Sequence, residues 1–446
     1  MEVKLNTVNI IGAGLAGCEA AWQAASLGVK VKLYEMKPLK FSPAHSSPLF
    51  AELVCSNSFR SNQLTNAVGL LKEELRRLNS LFMEAARSAE VPAGSALAVD
   101  RNKFSGYITD KIRSHENIEV INKEITSLPA GEVTVIATGP LTSEALSERI
   151  AVLIGFDCLH FYDAAAPIIE FSSIDRSKIF FASRYGKGEA SYINCPMTKA
   201  EYDAFYEALI SAETAPLHGF EENLEPKMFT EPKVFEGCMP VEVMAARGYE
   251  ALRFGPMKPV GLIDPSTDGE AYAVVQLRTE NNEGAMYNMV GFQTRLTFSE
   301  QRRVFGMIPG LENAVFLRYG VMHRNTFINS PKLLRASYEM RENPGVFFAG
   351  QITGVEGYTE SAASGLAAGI NAARKVKGLP AFIFPAESAV GALAAYISNP
   401  AVTDFQPMNV NFGLFPPLRH KVKGGKQARQ EVYAERALSA IDNIVF

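Results

Sequence analysis

Six residues near the start of the chain, Gly12-Ala13-Gly14-Leu15-Ala16-Gly17, have the types and spacing to hold a pyrophosphate. Gly12 permits a tight turn, Gly14 lets the backbone approach the phosphates, and Gly17 allows a helix to pack closely on a strand. The free N–H groups and partial positive charge of a helix N-terminus then face the phosphate oxygens. Glu35 is placed to accept hydrogen bonds from a ribose hydroxyl and would repel a 2′-phosphate, so this site is not expected to hold NADP. The motif alone does not separate NAD from FAD.

The five cysteines offer a second kind of chemistry. A thiolate nucleophile needs an accessible cysteine with a lowered pKa. Cys18 falls inside the first helix and reads as packing, while Cys158 and Cys195 read as small buried hydrophobes. Cys55, in AELVCSNSFRSN, sits where an apolar run gives way to an Asn/Ser-rich loop. Cys238, in EGCMPVE, lies between Gly237 and a proline-bounded turn. Both positions suit a nucleophile, and both also suit an inert buried thiol. No C-x-x-C is present, so no redox disulfide of the thioredoxin-reductase type is expected. The six histidines are dispersed, and no Cys/His spacing points to a metal.

The elements that must carry these groups are legible around them. Val8–Ile11 reads as a strand running into the glycine turn, CEAAWQAAS as a helix stopped by Gly28, and Val29–Tyr34 as a strand ending at Glu35. Residues 67–90 read as one helix, 118–121 as a short strand, and 133–139 as an apolar strand ending in a glycine turn. From about 160 to 330 the pattern changes to alternating runs such as YAVVQL and YNMVGF, with one helical stretch, KAEYDAFYEALISA. Gly345–Gly350 is again strand then glycine, followed by a small-residue helix starting near Ser361. The expected fold class is α/β: a dinucleotide-binding Rossmann domain over 1–160 and 330–446, with an α+β domain over 161–329 inserted in it.

A chain of 446 residues suggests two or three domains of about 150 residues each. Apolar residues at 47% and charged residues at 21% exclude disordered and collagen-like classes. No run of about 18 apolar residues suggests a membrane span. The N-terminus reads as a strand rather than a signal peptide, and the cysteine usage fits a reducing, cytoplasmic setting. The net charge of −4 excludes a basic nucleic-acid coat, so any nucleic acid must be held by a local patch. Two patches offer themselves: Arg419, Lys421, Lys423, Lys426 and Arg429 near the end, and Arg176, Lys178, Arg184 and Lys187 in the middle. Either also reads as an ordinary solvated face.

One dinucleotide domain interrupted by a long insertion, with Gly139 and Gly350 as its later turns, resembles the glutathione-reductase-like flavoproteins, which favours FAD. More specifically, IIGAGLAGCEAAW, PAHSSPLFAELVCSNS, VPAGSALAVDR, ATGPLTSEAL, FEGCMPVE, RFGPMKPVGL, RYGVMHRNTFIN and GVEGYTESAASG together resemble the folate- and flavin-dependent tRNA uridine 5-methyltransferase family, TrmFO. AELVCSNS and YGVMHRNT are specific to that family, whereas GAGLAG is shared by the superfamily. The resemblance implies an enzyme that forms 5-methyluridine in the T-arm of tRNA. The carbon would come from 5,10-methylenetetrahydrofolate, with reduced FAD as reductant and NAD(P)H recharging it. It assigns Cys238 to attack on uridine and Cys55 to a second thiol role, at the flavin-bound methylene or as proton acceptor. It also implies that His323 stacks on the pterin, that Glu356, Gly357 and Tyr358 line the flavin and folate side, and that Lys258 contacts substrate. His323 could equally satisfy a neighbouring carbonyl, and Lys258 could be a solvated turn lysine. Two alternatives stay open: the same chemistry on ribosomal RNA, and an NAD(P)H-dependent flavin oxidoreductase acting on a small molecule.

Overall fold

Strands Thr7–Ile11 and Lys30–Glu35 form where short apolar runs are bounded by turn residues, and both are largely buried. They pair in parallel, and a five-stranded parallel sheet grows around them in the order Val346–Phe348, Val133–Ile136, Thr7–Ile11, Lys30–Glu35, Ile118–Asn122. In chain order this is the 3-2-1-4-5 arrangement of a doubly wound sheet. The order reverses between Thr7–Ile11 and Val133–Ile136, so the crevice for a ligand lies beyond the carboxyl ends of those two strands.

The computed structural model describes residues 7–129, 131–155, 158–164, 166–186, 189–215, 239–281, 283–320, 322–402, 405–420 and 422–444, with backbone alone for 158–164 and 322–326. Cys238 and Lys421 therefore lie outside the described residues, as do Lys187 and the side chain of His323.

A second sheet, antiparallel throughout, orders Phe180–Phe181, Tyr192–Met197, Ala273–Thr279, Met286–Met289, Ile168–Glu170 and Phe316–Arg318. Strands Cys158–Ala164 and Met322–Ile328 pair antiparallel, so the chain runs out to this sheet and back along a two-stranded ribbon. Two apolar clusters follow the sheets. One draws on residues between Val8 and Ile154 and between Phe327 and Ile441. The other draws on residues between Ile169 and Leu311.

The stretch 67–90 is two helices rather than one, Ala67–Arg77 and Leu81–Ser88. Asn79 turns the chain with φ +56°, and the Ser80 hydroxyl then accepts from the Met83 N–H at 3.4 Å as the new helix cap. Helix Tyr358–Val376 starts three residues earlier than its small-residue pattern suggested and packs against helix Leu15–Ser26.

A buried carboxylate joins two of these elements. Glu74 is fully buried and accepts from the backbone N–H groups of Ala389 (2.7 Å) and Val390 (3.0 Å) at the start of helix Ala389–Ser398. Burial outweighs both bonds and pushes its carboxyl up to about 8. A raised folded pKa means that the native state binds more protons than the unfolded chain. Its stabilising contribution is complete below the ordinary carboxyl pKa and is lost as pH rises through about 8. Glu74→Gln should therefore melt below wild type at pH 5, by about 1 kcal/mol for the lost acceptor. The gap should narrow by pH 9. Melting curves at the two pH values measure this, and a gap that widens with pH contradicts it.

Candidate functional site

The glycine turn is built by contacts that leave no room for side chains in two of its three places. Gly12 has φ +97°, and a Cβ there would lie 2.7 Å from the Ala137 carbonyl oxygen. A Cβ on Gly17 would lie 1.8 Å from the Gly12 oxygen. Gly14 differs: nothing lies within 4 Å of a Cβ placed there. It caps helix Leu15–Ser26 with no side-chain bond and no acid in the first turn, so the leading N–H groups face the crevice. The crevice is lined by Gly12 to Ala16, Glu35, Gly139, Gly350, Tyr358 and Ser361, among others. The early strands, the 133–136 strand and the 346–376 segment thus converge on one cavity.

Glu35 is buried at the end of its strand. One carboxylate oxygen accepts from the Ala13 N–H at 2.8 Å, the other from the Lys37 N–H at 2.9 Å. These bonds tie the acid to the glycine turn and fix its distance from any ribose lying in the crevice. Cys18, just behind the turn, donates its thiol to the Ala13 oxygen at 3.3 Å, and burial pushes its pKa up. Cys195 is fully buried in the second cluster and is pushed up for the same reason. Neither is a nucleophile.

Cys55 stands at the junction of the two sheets. Its backbone N–H donates to the Tyr358 hydroxyl at 2.8 Å, and the Ser56 N–H donates to the same oxygen at 3.3 Å. Burial, and next the neighbouring Cys55, push the Tyr358 phenol well above its usual range, so it keeps its proton. On the other side, Arg101 donates to the carbonyls of Leu53 and Cys55 and pairs with the buried Glu280. Arg278 donates to Asn57 Oδ1 at 3.0 Å and to Ser56 Oγ at 2.8 Å. Asn57 in turn donates to the Thr279 carbonyl at 2.9 Å. The 53–57 loop is thereby clamped between the start of helix Tyr358–Val376 and the end of strand Ala273–Thr279, with Val54 facing the crevice.

The GVEGYTES segment divides. Tyr358 and Ser361 line the crevice. Glu356 is buried, accepting from Gln351, itself a lining residue, at 2.8 Å. Gly357 turns the chain at φ +107° against the buried Glu360, which pairs with Arg60. His323 occupies the ribbon strand opposite Asp163, and Lys258 lies beside the second sheet with its carbonyl bonded by Arg184. Arg419 and Lys423 are exposed before helix Gly425–Asp442 and are not among the residues that line the crevice. The middle basic patch is partly spent, since Lys178 pairs with Glu312 and Arg184 with backbone carbonyls. Sequence reasoning missed Arg101, Arg278, Glu280 and Arg318. Only tertiary contacts between distant segments reveal them, although Arg101 directly follows Asp100, whose carboxylate caps its helix.

No group of His, Cys, Asp and Glu among the described residues could hold a metal ion. No helix among them is long and apolar enough to cross a membrane.

The doubly wound sheet, the open glycine cradle and the acid tied to it define a dinucleotide-binding protein of the glutathione-reductase-like Rossmann class. The solved structures of Aquifex aeolicus GidA in two crystal forms share that fold. Their TM-scores are 0.69 and 0.70 at 18% identity, with 99% and 98% of this chain and 74% and 75% of theirs covered. The Glucose inhibited division protein A family matches residues 7–380. The methylenetetrahydrofolate–tRNA-(uracil-5-)-methyltransferase TrmFO of Acetivibrio thermocellus is 59% identical over 99% of both chains. Those of Listeria monocytogenes and Heliobacterium modesticaldum are each 60% identical over 98% of both. The chain belongs to the TrmFO family of methylenetetrahydrofolate–tRNA-(uracil-5-)-methyltransferases.

Proposed function

We propose that this protein methylates the 5-carbon of a uridine in the T-loop of tRNA. Methylenetetrahydrofolate would give the carbon, FAD would lie in the glycine crevice and NAD(P)H would be the reductant. The observation that carries the reading is 59–60% identity along nearly the whole length of both chains to proteins bearing that activity in their name. The crevice fits the flavin dinucleotide: Gly14 leaves its cradle open, the helix N–H groups face it, and Glu35 is fixed beside it. When bound, FAD supplies the hydride that completes the methyl group.

The chain's own residues then have distinct tasks. The Cys238 thiolate adds to the 6-carbon of the uracil ring, which makes the 5-carbon nucleophilic enough to take up an electrophilic methylene. Cys55, held by Tyr358 and Arg101, is the second thiol, next to the crevice. A base removes the 5-proton, and loss of the Cys238 sulfur from the 6-carbon restores the ring. The target uridine is buried in tRNA tertiary structure and must be extruded to reach the thiol. His323 is the proposed pterin-stacking residue. Lys258, Arg419, Lys421 and Lys423 are proposed substrate contacts. The proposed division is 1–160 with 330–446 against 161–329; the two apolar clusters support it except at Phe327 and Ile328, which pack in the first.

The test supplies undermethylated tRNA, methylenefolate labelled in the transferred carbon, and NAD(P)H. Label should appear in 5-methyluridine, and Cys238→Ala should abolish it. Undiminished label in Cys238→Ala would remove the nucleophile assignment. Flavin reduction with no label in RNA would favour a small-molecule oxidoreductase.

A further inference from the structure

Strand Phe316–Arg318 is the edge of the second sheet, and its register shifts between Phe316 and Arg318. Bulged edges often re-aim side chains next to functional sites. Here the rings of Phe298, Tyr319 and Phe316 form one continuous stack. Phe298 lies 4.5 Å from Tyr319 at 18° between planes, and Tyr319 lies 5.3 Å from Phe316 at 11°. Phe298, the outer ring, is 53% exposed. Arg302 places its guanidinium 5.3 Å from the Tyr319 centroid and donates to the Tyr319 hydroxyl, and it has no carboxylate partner among the described residues. Glu300 is engaged by Arg303 and Glu312 by Lys178.

Arg318 directly precedes Tyr319 at the end of strand Phe316–Arg318. Its Nε and one Nη are buried and have no hydrogen-bond partner among the described residues. Burial and the nearby Arg101 charge lower its pKa, while Glu280, Tyr358 and Cys55 act in the opposite direction, so it shares an electrostatic neighbourhood with the proposed second thiol. Buried guanidinium donors left unused cost free energy unless an acceptor arrives. The forked donor set matches a phosphate or carboxylate. Stacked aromatic rings beside such a cation are the recurring platform for single-stranded nucleic acid, because every base has a π-face.

We propose that the Phe298–Tyr319–Phe316 stack and Arg318 together receive the loop nucleotides next to the target uridine, one base laid on Phe298 and one phosphate bonded by Arg318. This rests on the tRNA reading above and adds to it a docking surface separate from the C-terminal basic strip. It leads the RNA along the sheet edge to the Cys55 loop.

The test measures anisotropy of labelled, undermethylated tRNA on the flavin-loaded full chain at several salt concentrations. It also measures KM and kcat for tRNA methylation. Flavin absorbance and melting temperature confirm that each variant is folded. Phe298→Ala should weaken binding about tenfold, and Phe298→Trp, which keeps a π-face, should restore it. Arg318→Gln should raise KM for tRNA about tenfold and reduce the salt slope by about one charge. Should Arg318→Gln fail to fold, the Phe298 pair decides. Wild-type binding and KM in Phe298→Ala overturn the proposal. So does unchanged RNA binding accompanied by altered self-association or protein capture, which would make the surface a protein interface. If wild type itself neither binds nor methylates tRNA, the parent reading fails. If wild type methylates tRNA and the variants match it, only the platform fails.

Discussion

Gly14→Val protein should fold, melt within a few degrees of wild type and emerge without flavin, whereas Gly17→Val should not accumulate as a folded protein. The two positions share one turn and one residue type, so the contrast comes entirely from their surroundings. Gly14 has an extended backbone, φ −75° and ψ −171°, which valine adopts readily, and no atom lies within 4 Å of the added Cβ. The new methyl groups would occupy the space where a pyrophosphate must touch the backbone. The folded chain loses only the cap preference of glycine over valine, about 1 kcal/mol. At Gly17 a Cβ lands 1.8 Å from the Gly12 oxygen. Relief would require the turn to part from the helix, at a cost of about 4 kcal/mol or more. Visible flavin absorbance per mole of purified protein, read beside a melting curve, decides the matter. A yellow Gly14→Val protein would end the assignment of this crevice to a dinucleotide.

Gly365→Ala and Gly369→Ala should each be strongly destabilising, while Gly106→Ala should be slightly stabilising. Helices Leu15–Ser26 and Tyr358–Val376 meet through small residues on a four-residue ridge. A Cβ on Gly365 would stand 2.2 Å from the Ala16 oxygen, and one on Gly369 2.4 Å from the Ala20 oxygen. Both obstacles are backbone and cannot rotate away. Each substitution should cost about 3 kcal/mol and displace the helix whose N-terminus faces the crevice, lowering flavin retention as well. Gly106 lies within helix Arg101–Ser114 with nothing within 4 Å of a Cβ. Alanine there should add about 0.5–1 kcal/mol. Denaturant unfolding of the three variants tests the set. Equal effects at all three positions would show that helix propensity, not interhelical contact, governs them.

What could be read from the residues was whatever the chemistry demands locally. A pyrophosphate turn needs its glycines at fixed offsets between a strand and a helix, so residues 8–35 announced themselves. The loop setting of Cys55 was legible because an apolar run breaks into Asn and Ser there. The clamp on that loop was not. Tyr358 is 303 residues away from Cys55, and Glu280 is 179 away from Arg101. No local pattern marks an arginine that will be buried. The single helix expected over 67–90 shows the same limit on a smaller scale. Helix-forming residues continue on both sides of Asn79, so the pattern alone does not show the turn there. The aromatic stack escaped notice because Phe298 and Tyr319 belong to different elements, joined only by the fold.

The parallel sheet has one more implication, for how the protein comes into being. Its edge strand, Val346–Phe348, and the helix that covers the first one are translated after the entire antiparallel unit. While the ribosome is still making residues 160–330, the alanine face of the opening helix has no lid and the nucleotide cradle lacks a wall. The newborn N-terminal half must wait, exposed, for a partner more than three hundred residues downstream. Cofactor capture is therefore a late event in biogenesis rather than a seed for it.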